Sequence, residues 1–301
     1  MTHTKFSDSV HSLLSGIVDY AGLFPPSQLS MSDAVANYAN YKRSDYNWIL
    51  GRFVIPTARL DEFSGSARKF LSDSKFGVWK LSVLAGDDIF ETVRQIEDFN
   101  RASAPSVVCD SIEVKADTSR MIEDIAQIIP AHFATYFELP INKNLADLVQ
   151  ALAIRGQGAK IRTGGVTESA FPKNEQIIRF IKTCLAAKVP FKATAGLHHP
   201  LRSIKPLTYE IDAATGVMNG FLNVFLAAGF LRQGCQEKFV DELLEDKQAE
   251  NFAFNADGVF WRQKYFISTA ELKNLREKNI ISFGSCSFEE PIADLQEIGI
   301  L

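Results

Sequence analysis

Short apolar runs alternate with longer segments in which apolar residues recur every three or four positions, and this alternation organises most of the chain. The runs GRFVIP (from Gly51), VWKLSVLAG (from Val78), DSIEVKAD (from Asp110) and ATYFELPI (from Ala134) predict strands. So do GAKIRTGG (from Gly158), FKATAGL (from Phe191) and IISFGSCSF (from Ile280), and NFAFNADGVFW from Asn251 makes an eighth candidate. Between them, DDIFETVRQIEDFNRA, TSRMIEDIAQII, NKNLADLVQALAIRG and NEQIIRFIKTCLAAK carry helical spacing behind Asp, Thr or Asn caps.

Strands that alternate with helices imply an α/β fold with parallel pairing, because right-handed helical crossovers return the chain to the same sheet edge. Eight strand candidates in about 250 residues after Trp48 favour a closed (β/α)8 TIM barrel over residues 48–301. Residues 1–47 then read as an N-terminal helical extension built from FSDSVHSLLSGIV and MSDAVANYANYK, the whole forming a single domain. An open doubly wound sheet is the alternative; it would favour a Gly-rich phosphate turn after the first strand, where IPTARLDEF stands instead.

Side chains alternate between the two faces of a strand, and in a barrel the helix-covered face is apolar. Applied to DSIEVKAD, this sends Ile112 and Val114 outward and Glu113 and Lys115 inward. Tyr136 and Glu138 follow from ATYFELPI, Lys160 and Arg162 from GAKIRTGG, and Lys192 and Thr194 from FKATAGL. Lys80, Ser82 and Arg52 on the first two strands extend the set. Lys115, Lys160, Arg162 and Lys192 outnumber Glu113 and Glu138, so the expected interior is net cationic and calls for a small anionic ligand at the C-terminal mouth. Crowded cations would favour the neutral amine of Lys192, which suits attack on a carbonyl. Glu113, Glu138 or His198 would move protons, and Lys115, Lys160 and Arg162 would hold the anion. A structural salt-bridge lattice is the competing reading.

Composition narrows the partners. The net charge is -4 and no basic stripe is present, which argues against nucleic acid. Cys109, Cys184, Cys235 and Cys286 show no CxxC spacing, so a reducing cytoplasm is expected. MTHTKFSDSVHSLL lacks the charged and apolar regions of a leader, and no apolar run approaches about 18 residues, so membrane association is not expected. VMNGFLNVFLAAGFL from Val217 reads as a buried helix or a subunit contact, which leaves a homo-oligomer open.

KATAG at Lys192–Gly196 resembles the KTSTG strand of deoxyribose-phosphate aldolases, and GAKIRTGG at Gly158–Gly165 is similar to their GVKxxGG strand, although the two motifs occur here in the opposite order. The resemblance implies a class I barrel enzyme with Lys192 as the Schiff-base lysine and Lys160 as its assistant. It covers two short strands, not the whole chain.

Three further signals stand apart from the strand pattern. His198 and His199 precede Pro200, and both rings can serve one site only if the backbone turns after Gly196. They suit proton transfer, ligand orientation (His199) or, with Glu113 or Glu138, a divalent metal, although no HExxH or HxH spacing supports the metal. SFGSCSFEEP offers Gly284, Ser285 and Ser287 as an anion site, with Cys286 a nucleophile or a packing residue. DYAGLFPP carries Asp19 and Tyr20 and is either an apolar plug at a barrel end or a lid, its double proline predicting a stiff extended connection.

The expected activity is lyase or aldolase-like, on a keto acid or sugar phosphate. A metal-dependent lyase or hydrolase and a noncatalytic metabolite-binding barrel are the alternatives, and no cofactor signature is legible.

Overall fold

The computed structural model describes residues 6–71, 77–141 and 144–301. Residues 1–5 of the expected non-leader segment, and Asn142 and Lys143 of NKNLADLVQALAIRG, lie outside them. The chain begins α1 (Asp8–Leu14), β1 (Val18–Tyr20), α2 (Met31–Arg43), β2 (Leu50–Pro56), α3 (Leu60–Leu71), β3 (Trp79–Leu84) and α4 (Ile89–Ser103). It continues β4 (Val107–Lys115), α5 (Ser119–Ile128), β5 (Ala134–Glu138), α6 (Leu145–Arg155), β6 (Gly158–Arg162), α7 (Asn174–Ala187) and β7 (Phe191–Thr194). A hairpin of β8 (Ser203–Pro206) and β9 (Thr215–Met218) follows, then α8 (Phe221–Arg232) and α9 (Glu237–Glu245). The chain ends with β10 (Phe252–Phe254), β11 (Gly258–Trp261), β12 (Tyr265–Ser268), α10 (Thr269–Lys278), β13 (Ile280–Ser285) and α11 (Glu289–Glu297).

Eight of these strands pair in parallel and close in the order β1-β13-β7-β6-β5-β4-β3-β2, a (β/α)8 TIM barrel. Local chemistry starts α4 and α5 as expected, whereas Asn174 lies inside α7, where Lys173 takes the cap position. The Asp88 carboxylate accepts from the Glu91 amide and the Thr118 hydroxyl from the Met121 amide, each satisfying a donor that has no partner within its helix. Outward residues such as Ile112, Phe137, Ile161 and Phe191 are fully buried beneath the helices.

Two strands differ from the sequence expectation. NFAFNADGVFW does not enter the barrel: its halves form β10 and β11 of a separate antiparallel sheet with β12, turning through Asn255–Asp257. The eighth barrel strand is β1, inside the segment read as a helical extension. At three residues, Val18-Asp19-Tyr20, it is too short for its apolar–charged–apolar order to mark a strand. β1 seals the ring by pairing with β2 on one side and β13 on the other.

The helix α8 is buried from Phe221 to Phe230, resolving the apolar segment at Val217 as a core helix packed against α7, α9 and α10. Its Asn223, fully buried, caps neighbouring backbone by donating to the carbonyls of Leu243 and Asp246 and accepting from the Arg202 amide. Among the described residues, no helix is long and apolar enough to cross a membrane.

Candidate functional site

A ladder of alternating charge runs through the barrel interior. On β7, Lys192 Nζ lies 2.6 Å from Asp19 Oδ2 of β1 and 2.8 Å from Glu113 Oε1 of β4. Glu113 Oε2 accepts from Lys160 Nζ of β6 at 2.7 Å, Lys160 also reaches Glu138 Oε2 of β5 at 2.9 Å, and Glu138 Oε1 accepts from Arg162 Nε at 3.0 Å. Ser82 donates to Glu113 and Ser282 to Asp19, each at 2.6 Å, using lone pairs the lysines leave vacant. Tyr136 places its ring face 5.0 Å from the Lys192 ammonium.

The alternation rule therefore brought Glu113, Glu138, Lys160, Arg162 and Lys192 together as expected. The expected surplus of positive charge is absent, because Asp19 supplies a third carboxylate against Lys160, Lys192 and Arg162. Lys115 has the inward parity but is the last residue of β4; it is exposed and does not line the cavity. Arg52 pairs with Asp110 at 2.6 Å near the starts of their strands, with Lys80 4.0 Å from the same carboxylate, at the end of the barrel away from the mouth.

These pairings reverse the expected protonation bias of Lys192. Burial disfavours its charge, but Asp19 and Glu113 outweigh burial and hold its pKa above the ordinary lysine value. Burial likewise opposes ionisation of Glu113 and Glu138, yet Lys160 with Lys192 in the first case, and with Arg162 in the second, keep both below the usual carboxylate range. The ladder pairs Lys160, Lys192 and Arg162 with Asp19, Glu113 and Glu138 and so neutralises itself internally.

Above it lies a cavity of about 780 Å³, within the range of small-molecule sites. Its floor includes Glu113, Lys160 and Lys192, and Arg162 stands at its rim with the side chain half exposed. DYAGLFPP sits at this mouth: Phe24, Pro25 and Pro26 line the cavity, and the segment forms a turn with a cis Pro25–Pro26 bond instead of an extended connection. The loop between β8 and β9 also lines the cavity, tethered by a 2.8 Å hydrogen bond from the Tyr209 hydroxyl to Glu290 on α11.

The backbone turns after β7 as the histidine pair requires. Ala195 and Gly196 are both left-handed, with φ of 59° and 65°, and a Cβ on Gly196 would lie 2.7 Å from Gly164 Cα. The turn swings His198 and His199 into the same cavity wall, their ring centroids 6.5 Å apart. His199 Nδ1 is 2.5 Å from Asp294 Oδ2 of α11, whereas His198 Nδ1 is 2.9 Å from Ser285 Oγ. Burial outweighs the Asp294 contact and holds the His199 pKa below the ordinary histidine value, while contacts with Cys286 outweigh burial and raise that of His198.

In SFGSCSF the cavity is lined by Gly284 and Cys286, not by the expected Ser285 and Ser287. Ser285 is fully buried, gives its hydrogen to the Ser287 carbonyl and orients His198; the Ser287 hydroxyl accepts from the Glu290 amide at the start of α11. Sequence reasoning passed over Asp294 on α11, Lys205 on β8 and Tyr209 in the loop after β8, none of which falls in the strand runs or motifs read from the sequence. Among the described residues, no group of three or more His, Cys, Asp or Glu side chains is arranged to hold a metal ion. Comparison with protein-family models gives no match, and none of the curated proteins compared matches the chain.

Proposed function

We propose that the chain is an enzyme acting on a small anionic carbonyl compound, a keto acid or sugar phosphate, by proton transfer next to the carbonyl with or without carbon–carbon cleavage. The observation that carries this reading is the disposition of charge around one cavity: ammonium groups at the floor, a guanidinium at the rim and a carboxylate-backed histidine in the wall. Arg162, anchored through Nε to Glu138, turns its outer nitrogens toward the substrate's acidic group. Asp294 accepts the Nδ1 hydrogen of neutral His199 and so leaves Nε2 as the base. Lys192 and Lys160, held charged by their carboxylates, oppose the negative charge that develops on the carbonyl oxygen as the carbon loses its proton or its bond.

This assigns Lys192 an electrostatic part in preference to the imine-forming part implied by the aldolase resemblance, since its ammonium is bracketed by two carboxylates. Incubating the protein with a panel of keto acids and sugar phosphates in D2O, and following the carbon next to the carbonyl by NMR, tests the reading. Exchange that is lost in His199→Gln is the expected result, and a panel without exchange or cleavage overturns it. Borohydride added to the same incubations should leave Lys192 unmodified; a reduced adduct on that residue would return it to the imine-forming role.

A further inference from the structure

We propose that Cys286 and His198 form a thiolate–imidazolium pair in the cavity wall that captures an electrophilic carbon, an aldehyde being the fitting substrate class, as a reversible adduct on Sγ. This site is separate from the lysine ladder and does not depend on the role of Lys192 or His199.

Cys286 follows β13 on the loop that enters α11; it is buried from bulk solvent yet lines the cavity. His198 arrives from the turn after β7 and places Nδ1 4.0 Å from Cys286 Sγ. That is the outer limit of a sulfur hydrogen bond, and at this depth it is close enough for the two charges to stabilise each other. The ring is not free to turn away. Because Ser285 Oγ gives its own hydrogen to the Ser287 carbonyl, it accepts the Nδ1–H of His198, so the ring is held in place and the sulfur at 4.0 Å meets the imidazolium as a neighbouring charge. The Tyr209 hydroxyl closes the lid side of the sulfur at 3.7 Å.

The other three cysteines provide a contrast within the same molecule. Cys109 and Cys184 are buried, Cys235 is half-buried, none of them lines the cavity, and burial pushes the thiol pKa of each upward. Burial acts on Cys286 in the same direction, but His198 outweighs it and the net shift is downward.

The chemistry balances without an oxidant. The thiolate adds to the aldehyde carbon, forming the C–S bond; the carbonyl π pair moves to oxygen, and that oxygen takes one proton from the His198 imidazolium. The products are a neutral thiohemiacetal and a neutral imidazole, and the reverse path releases the aldehyde.

Iodoacetamide labelling of the native protein, with all four cysteine peptides followed by mass spectrometry across pH, tests the pair. Cys286 should titrate below the ordinary thiol value of about 8.5 and at about pH 6.5 should label at least ~10-fold faster than Cys235. In His198→Gln its midpoint should move up toward the ordinary value, and in denaturant all four should react alike. Glyceraldehyde 3-phosphate should protect Cys286 reversibly, and 3-phosphoglycerate, which lacks the electrophilic carbon, should protect it far less. A Cys286 that labels no faster than Cys235 in the native protein overturns the pair, with no variant needed. Equal protection by the two phosphates, or none by the aldehyde, overturns the adduct.

Discussion

Lys192 and Asp19 meet inside the barrel with Nζ 2.6 Å from Oδ2, their side chains 2% and 1% exposed, although β13 separates their strands in the ring. Neither charge has bulk water to fall back on, so each depends on the other. Replacing Lys192 by Met, a side chain of similar length, should destabilise the protein by about 3–5 kcal/mol in denaturant titration, because Asp19 and Glu113 lose their common cation. Adding Asp19→Asn to Lys192→Met should recover part of that loss, and strictly additive effects in the double-mutant cycle would contradict the coupling.

The ladder also sets an acid limit. Glu113 and Glu138 have folded pKa values below their unfolded ones, so the stability they contribute is fully present above the unfolded value of about 4.3 and is lost as pH falls through the depressed folded values. Unfolding midpoints measured by circular dichroism should hold near neutrality and decline below about pH 4.3. Glu113→Gln should be less stable at neutral pH and show a shallower acid decline.

Two glycines should be intolerant of a methyl group for different reasons. A Cβ on Gly51 would come 2.4 Å from Asp19 Oδ1, the oxygen that accepts from the Arg52 amide, so Gly51→Ala should displace the carboxylate that neutralises Lys192. At Gly196 the added Cβ meets Gly164 Cα at 2.7 Å on a backbone already left-handed. Gly196→Ala should therefore cost at least about 1–3 kcal/mol and disturb His198. Gly16→Ala provides the comparison, since that position shares the positive φ but faces open space. Thermal melts of the three variants should rank Gly16→Ala as the mildest.

The β8–β9 loop is tied to α11 through the Tyr209 hydroxyl. Tyr209→Phe removes the hydrogen bond to Glu290 and leaves the ring, so global stability should change little. Limited proteolysis between β9 and the end of β8 should accelerate, and unchanged cleavage would mean that the tether does not hold the loop down.

Most of the inner charge was legible because β4 to β7 each place a charged residue between outward apolar neighbours, a pattern only a two-sided strand produces. Asp19 was not, since VDY has the same apolar–charged–apolar order but spans only three residues, too few to stand out as a strand. Lys115 kept the right parity but is the last residue of β4, where its side chain is exposed. The Asn255–Asp257 turn inside NFAFNADGVFW was a readable hairpin signal, which should have divided that run into two antiparallel strands. Asp294, Lys205 and Tyr209 reach the cavity through the tertiary placement of α11 and the β8–β9 hairpin, for which local pattern offers no guide.

The pairing of β1 with β13 places Val18–Tyr20 beside Phe283–Ser285, two stretches far apart in sequence. During ribosomal synthesis Asp19 emerges early, whereas Ser282, which hydrogen-bonds it, and the flank that seals the ring follow more than 260 residues later. A nascent chain therefore carries an open sheet border until β13 leaves the exit tunnel, and truncation before Ile280 removes a stave of the barrel.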